Sequence, residues 1–299
     1  MAATSSTLTQ TTQLPVTVIC INQGTEEYLP DMIDSIRLAP YLPKELIILD
    51  NGVTEQSTTI LAQYEQLPYL RILSLEHPLP YAEALNKAIH AASGTCIVRI
   101  EPTDYIDEQR LWEQYEYLRT HPDVSVVGSN VMYFEHNTGK LIIDSNFPIG
   151  TKSIRRRFYH GQTGIQHATV MVRKSVMVQY PYHVSAHPAE EYEVFARMVR
   201  DGHVFENLRP PLTFKRLLKG LPREYTFQRI QKNFTIRDQL FGTHSSRWEI
   251  MQYFFHLHAY RKYLFERNSL LRYVYLVVAA LFQPRKMVRR IVGWGRSPK

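Results

Sequence analysis

The chain has 299 residues, 44% of them hydrophobic and 21% charged, with 35 Lys and Arg against 28 Asp and Glu for a formal charge of +7. That composition excludes a disordered, collagen-like or disulfide-stapled chain, and the length admits one large α/β domain or two smaller ones. The charge divides unevenly: residues 1–208 carry 16 basic and 24 acidic side chains, a net −8, whereas residues 209–299 carry 19 basic and 4 acidic, a net +15. Such an asymmetry points to a polyanionic partner for the C-terminal third, a membrane surface or a nucleic acid, or to a solvated basic helical tail.

Met1 to Leu14 is rich in Thr, Ser and Gln, with no basic n-region and no apolar h-region. It reads as a mobile tail rather than a secretory signal. Short apolar runs then alternate with helix-length segments. Val16–Ile21, Leu46–Leu49, Leu70–Leu75, Cys96–Ile100 and Val124–Val127 read as strands. Residues 26–38, 55–66, 81–92 and 107–119 carry helical spacing. The second and fourth strands are apolar nearly throughout, as expected where helices cover both sheet faces. The alternation predicts an α/β fold with a doubly wound, mostly parallel sheet. The two cysteines, Cys20 and Cys96, lie inside apolar runs without metal-ligand spacing, so they are expected as buried free thiols in a reducing compartment.

In such sheets ligands bind beyond the carboxyl ends of the strands. Polar residues fall there: Asn22 after the first strand, Asp50-Asn51-Gly52 after the second, and Glu101-Pro-Thr-Asp104 after the fourth. These acids suit a site, although Asp-Asn-Gly is also good turn chemistry. No Gly-x-Gly-x-x-Gly follows the first strand, and no Gly-x-x-x-x-Gly-Lys-Ser/Thr occurs anywhere. That argues against a dinucleotide oxidoreductase and a P-loop nucleotidase. A bound diphosphate would need a metal ion or Lys and Arg side chains to neutralise it.

Residues 190–202 read as a helix ended by Gly202. At 100° per residue, Glu190, Glu193, Arg197 and Arg200 form a solvated face, while Glu191 falls with Val194, Phe195 and Met198. An acid on the apolar side must be paired or line a cleft, and the first helical turn favours its ionised form. It suits a general base or a helix-capping, core-satisfied glutamate. Further on, the nine apolar residues Val274–Phe282 are too short to span a bilayer core of about 30 Å. Basic residues flank them, and the tail mixes Met287, Val288, Ile291, Val292 and Trp294 with Arg285, Lys286, Arg289 and Arg290. The pattern fits an interfacial membrane helix, or equally a packed helical subdomain or oligomer interface. Of the chain's 19 tyrosines, Tyr253, Tyr260, Tyr263, Tyr273 and Tyr275 interleave with basic residues here, but no nucleic-acid module accompanies them and no nucleic-acid partner is expected.

Taken in order, several blocks resemble the inverting GT-A glycosyltransferases of family 2, especially the bacterial branch that builds capsular, exopolysaccharide and lipopolysaccharide chains. Val18–Leu29 resembles the opening strand and loop, Ile47–Gly52 the Asp-Asp-Gly block, and Ala84–Ile89 the helix after the third strand. Val98–Ile106 lies at the Asp-x-Asp segment, and Glu190–Phe195 where the family has Glu-Asp-Tyr-Asp-Leu-Trp. His121–Ser129 and His167–Lys174 are also family-like.

The resemblance implies a GT-A domain over residues 15–215, followed by a helical basic region, 216–299, for membrane association or oligomerisation. It places Ile21, Asn22, Asp50, Asn51 and Lys87 at the nucleotide, with Asn22 and Asp50 on the base. Glu101 and Thr103 would lie at the ribose, and Glu101 and Asp104 at a divalent Mn or Mg ion. Glu191 would deprotonate the acceptor hydroxyl. The implied partners are a nucleoside-diphosphate sugar, UDP-sugar favoured, and a saccharide or lipid-linked acceptor at the inner face of the cytoplasmic membrane. The chain departs from the family pattern at Asn51, at Glu101 and Thr103 (aspartates in the family), at Glu191 (also an aspartate there) and in the opening loop Ile21–Gly24. Fewer carboxylates weaken the hold on a metal ion, and Arg155-Arg-Arg157 could partly substitute as a diphosphate clamp or form a solvated basic loop. The alternative implied is a catalytically impaired GT-A scaffold that binds nucleotide sugar or supports a partner enzyme.

Overall fold

A computed structural model describes residues 12–218, 226–266 and 268–283. The first four strands, β1 (Thr12–Asn22), β2 (Tyr41–Asn51), β3 (Leu70–Leu75) and β4 (Cys96–Ile100), run parallel in the order β3-β2-β1-β4. Helices α1 (Leu29–Arg37), α2 (Glu55–Ala62) and α3 (Tyr81–Ala91) supply the crossovers. Alternate residues of β1 and β2 enter two separate cores. Val18, Cys20, Leu46 and Ile48 pack with Met32, Ile33 and Ile36 of α1; Ile19, Ile21, Ile47 and Leu49 pack with Ala84, Leu85 and Ala88 of α3. Both faces are covered, so the strands carry apolar residues at every position.

The chain continues through β5 (Tyr105–Ile106), α4 (Arg110–Thr120), β6 (Val124–Glu135), β7 (Leu141–Asp144), α5 (Thr151–Phe158), β8 (Met171–Arg173), α6 (Lys174–Met177), α7 (Glu190–Arg200) and β9 (Val204–Leu217). Beyond β4 the sheet is mixed: β8 lies antiparallel between β4 and β6, β9 is parallel to β6, and β5 and β7 pair antiparallel with β9 and β6. The expected parallel order thus describes the first half. The register of β9 against β6 shifts on both sides of Asn130, which stands opposite Pro211. Proline cannot donate to a ladder, so the irregularity falls where a bulge costs least. Past it, Phe214 of β9 pairs with Tyr105 of β5.

Several boundaries move. Thr12–Leu14 pair with Tyr41–Pro43 and Leu14 is buried, so these three residues of the expected tail belong to the sheet; residues 1–11 lie outside the described residues. α7 ends at Arg200, and Gly202 takes φ +94°, the conformation that favours glycine. The supposed solvated face of α7 is covered over its first turns, though Arg200 stays exposed: Glu190 and Glu193 are buried, Glu190 against His187 Nδ1 (2.7 Å) and Glu193 between Arg197 (2.7 Å) and His183 (3.1 Å). Cys20 and Cys96 are buried and unbridged, and burial pushes the Cys20 thiol up to about 12.

The C-terminal region is helical: α8 (Phe227–Phe241), α9 (Arg247–Phe265) and α10 (Ser269–Phe282). Helix α8 docks on the main body, with Ile236 in the α3–α7 core, while Ile230 and Phe234 pack on Ile250 and Tyr253 of α9. Helix α10 leans on α9 through a Phe255–Phe282 stack and a His256 Nδ1–Ala279 O contact of 2.9 Å. Its other face is bare: Leu270, Val274, Val277 and Leu281, at i, i+4, i+7 and i+11, are 48–74% exposed. Among the described residues no helix is long and apolar enough to cross a membrane. The mixed apolar–basic tail from Arg285 to Arg296 lies outside them.

Candidate active site

The site is built at the carboxyl ends of β1, β2 and β4. Asn22 and Asp50 are register partners on adjacent parallel strands. The Asn22 amide donates to Asp50 Oδ1 (2.8 Å), and Ser57 Oγ donates to Asp50 Oδ2 (2.6 Å). Ser57 is placed by the capping box at the start of α2, where Thr54 accepts from its backbone N–H. Each Asp50 oxygen keeps a further lone pair for a ligand donor. Asn51 is used differently. Its side chain donates to Leu79 O (2.9 Å), accepts from Leu79 N (2.8 Å) and donates to Gln23 (3.2 Å), tying the end of β2 to the loop before α3. Ile21 sends its side chain into the core, leaving only its backbone toward a ligand. Lys87 is exposed on α3 and joins none of these contacts. Its neighbour Asn86 exchanges hydrogen bonds with the backbone of Tyr182 (2.8 Å each).

At the end of β4, Glu101 and Asp104 converge on one cation from a distant strand. Lys215 Nζ of β9 lies 2.8 Å from Glu101 Oε2 and 3.4 Å from Asp104 Oδ2. The β5–β9 pairing of Tyr105 with Phe214 sets this approach. Burial pushes the Asp104 carboxyl up to about 6, against the pull of Lys215. For Glu101 burial is again the largest effect and raises it, but Lys215 and Arg99 together hold the group below its ordinary value. Thr103 contributes a hydroxyl, which donates to Asp104 Oδ1 (3.2 Å). Arg216, next on β9, donates to Thr103 O (3.2 Å) and pairs with Asp31 (2.5 Å). Beneath the segment, buried Arg99 donates to Tyr81 OH (2.5 Å) and Ile19 O (3.2 Å). Arg110 donates to Arg99 O (2.9 Å) and Ala168 O (3.0 Å), fixing β4 against the turn His167–Thr169. Burial brings Arg110 down to about 9.

Glu191, in the first turn of α7, stands between His167 and Arg229. His167 Nδ1 is 3.1 Å from Oε1, at charge-pairing distance rather than in a well-aligned hydrogen bond, and Arg229 Nη2 of α8 is 2.5 Å from Oε2. His167 is held from behind by Tyr182 OH at 2.7 Å. Burial opposes ionisation of Glu191, but His167 and Arg229 together hold it well below the usual carboxylate range. Its charge also acts on Glu101 and Tyr81, which makes the end of β4 and the start of α7 one electrostatic unit. An ionised carboxylate has about four lone-pair positions, so an acceptor hydroxyl can still reach it.

A divalent ion does not fit this arrangement. Mg²⁺ or Mn²⁺ takes about six oxygens at about 2.0–2.2 Å, whereas here two carboxylates share an ammonium. Among the described residues no three His, Cys, Asp or Glu side chains are grouped to hold a metal. Arg155–Arg157 lie on α5, not in a loop, and Arg157 donates to Gln162 (3.0 Å). Of the implied residues, the fold gathers Asn22 with Asp50 at one end, and Glu101, Thr103 and Asp104 with Glu191 at the other. Lys215, Arg229 and His167 escaped the reading of roles from sequence; for the first two, the basic excess after residue 208 was the available signal. A surface groove of about 720 Å³, lined by Gly94, Arg119, Arg173 and Lys174 among others, lies at the amino-terminal end of β4, away from these groups.

Residues 16–180 match the family model described as glycosyl transferase family 2. A curated relative, the amylovoran biosynthesis glycosyltransferase AmsE of Erwinia amylovora, is 24% identical over 198 residues, covering 64% of this chain and 72% of its own. The crystal structure of S. aureus TarS 1-349 superposes with a TM-score of 0.60 at 14% identity, covering 91% of this chain and 82% of that one; the same protein is also known in complex with UDP-GlcNAc. The mannosyltransferase PcManGT of Pyrobaculum calidifontis, solved with GDP-Man and Mn²⁺, superposes with a TM-score of 0.56 at 14% identity over 95% of this chain and 80% of its own.

Proposed function

The chain belongs to glycosyl transferase family 2, and we propose that it moves a sugar from a nucleoside-diphosphate sugar to a hydroxyl of a saccharide or lipid-linked acceptor, with inversion, in cell-surface polysaccharide synthesis. The observation that carries this reading is Glu191, an ionised carboxylate at a helix N-terminus electrostatically joined to the Glu101–Asp104 segment. The polysaccharide role is supported by relatives such as AmsE and an Escherichia coli O-antigen biosynthesis glycosyltransferase. A UDP-sugar is favoured by the likeness to TarS, which binds UDP-GlcNAc. In the proposed step the acceptor oxygen attacks the anomeric carbon in line as the bond from that carbon to the β-phosphate oxygen breaks. The electron pair leaves with the nucleoside diphosphate, and the acceptor proton passes to Glu191. Asn22 and Asp50 hold the base. The departing diphosphate gains charge, so fixed cations nearby lower the barrier.

The test is release of nucleoside diphosphate from a panel of UDP- and GDP-sugars offered with lipid and saccharide acceptors. Glu191→Gln is expected to lower turnover by about 10²–10⁴-fold with nucleotide affinity retained. Wild-type turnover in that variant would remove the base from Glu191. A scaffold that binds nucleotide sugar without turnover is a second reading, favoured by Thr103 standing where the family has a carboxylate; it would show binding and no release.

The reading of membrane attachment is supported by α10. Its bare stripe of Leu270, Val274, Val277 and Leu281, beside Arg272 and ahead of a basic tail, suits an interface helix at the inner face of the cytoplasmic membrane. Flotation with anionic vesicles should retain the full chain and lose a chain cut after residue 268. If neither floats, but mass rises with concentration and the cut abolishes the rise, the stripe is instead a contact between copies.

A further inference from the structure

Glu101 Oε2 and Asp104 Oδ2 aim at one point, and Lys215 Nζ holds that point at 2.8 and 3.4 Å. We propose that Lys215 is a built-in cation: the donor's diphosphate binds beside Glu101–Asp104 without a divalent metal, the ammonium offsetting the two carboxylates' repulsion and donating to a phosphate oxygen where an ion would otherwise sit. The inference rests on the glycosyltransferase reading above and goes beyond it in naming how the nucleotide is held.

Three features of the fold make the replacement permanent. First, Lys215 is not a passing surface side chain. Only 9% of it is exposed, and its backbone is fixed between β6 and β5, with Tyr133 opposite Lys215 and Tyr105 opposite Phe214. Second, the Asp104 side chain is fully buried, so a metal that displaced the ammonium would have to compensate that carboxylate at once and re-house a buried lysine. Third, the donor set has contracted. Thr103 offers a hydroxyl bonded to Asp104 (3.2 Å), and no three-residue ligand group exists among the described residues. Arg216 adds a second cation to the same loop through Thr103 O (3.2 Å), and Arg229 a third at Glu191 (2.5 Å). Each of these cations also faces a carboxylate, so what they offer a diphosphate is fixed N–H donors and relief from the carboxylates' repulsion rather than surplus charge.

The test is calorimetric titration of UDP and GDP into the full chain in EDTA and in MnCl₂, with Mn²⁺ electron paramagnetic resonance on the same samples. For wild type, Mn²⁺ is expected to change the dissociation constant by less than about threefold, and UDP is expected to recruit no bound Mn²⁺ signal. Lys215→Met frees both carboxylates: it should weaken binding in EDTA by about tenfold or more, recover affinity with Mn²⁺ and acquire a bound Mn²⁺ spectrum, while Lys215→Arg keeps metal-independent binding. Binding by wild type only with Mn²⁺, or Lys215→Met binding like wild type in EDTA, overturns the assignment of Lys215 and leaves the glycosyltransferase reading standing. Absence of nucleotide binding under every condition overturns both. If Lys215→Met fails to fold, as far-UV circular dichroism would show, the wild-type comparison decides alone.

Discussion

Arg229→Gln separates the link between the C-terminal helices and Glu191 from the rest of the fold. Both side chains are largely covered, 13% exposed for Arg229 and 16% for Glu191, and they meet at 2.5 Å. Removing one partner of a buried ion pair costs about 3–5 kcal/mol because the other charge stays buried. His167 remains 3.1 Å from the far oxygen and offsets part of this, so a loss of about 2–3 kcal/mol is expected, or about 3–5 °C in Tm. The sign with pH follows from the lowered folded-state pKa of Glu191. The stabilisation is complete above the ordinary glutamate value of about 4.3, and it fades as pH falls through the lower folded value. The gap between wild type and variant should therefore be widest near neutrality and close in acid. The acid limb of the turnover profile should move to higher pH in the variant, since Glu191 then protonates more easily. Urea unfolding of wild type, Arg229→Gln, Glu191→Gln and the double variant measures the pair directly. Losses in the double variant well below the sum of the singles confirm the pair; strict additivity, or Arg229→Gln within about 0.5 kcal/mol of wild type, refutes the reasoning.

Other outcomes follow from the same geometry. Asp50→Ala removes the acceptor of the Asn22 amide and leaves the Ser57 hydroxyl only Thr54 O; it should lower stability by about 1–3 kcal/mol and weaken UDP binding in calorimetry, and unchanged affinity would move the base elsewhere. Gly94→Ala would place a Cβ 2.5 Å from Thr17 N and 2.7 Å from Val16 C, backbone that cannot swing aside, so thermal unfolding should report a loss of about 1–3 kcal/mol; a neutral result would mean this corner yields. Phe195→Ala, in the core between α7 and the sheet, should cost about 3–5 kcal/mol in urea, while Leu38→Ala at an exposed position should stay within about 0.5 kcal/mol. Replacing Leu270, Val277 and Leu281 together by Glu should abolish vesicle flotation and leave nucleotide binding intact; retained flotation would clear α10 of membrane contact.

The first half of the fold was legible because burial on both sheet faces writes an uninterrupted apolar run, as in Ile47–Leu49, and because polar residues mark the strand ends. β9 was not. Its sequence mixes Glu206, Asn207 and Arg209 with Pro210 and Pro211, a pattern that reads as loop until β6 and β5 are known to flank it. The site divided the same way. Asn22 with Asp50, and Glu101 with Asp104, were readable as strand ends, but the engagement of Asn51 by Leu79 depends on a loop whose path the sequence does not show. The charge split also changes meaning. Lys215, Arg216 and Arg229 of the basic part pair with Glu101, Asp104, Asp31 and Glu191 of the acidic part. Part of the asymmetry is therefore the protein's own complementarity, invisible until distant segments meet.

The most direct measurement is a crystal structure of the full chain soaked with UDP in EDTA. The expected result is the base against Asn22 and Asp50, the diphosphate beside Glu101, Asp104 and Lys215 with no metal peak, and Glu191 open to the acceptor side. A nucleotide lodged instead in the groove of Gly94, Arg119, Arg173 and Lys174, at the other end of the sheet, would contradict the account.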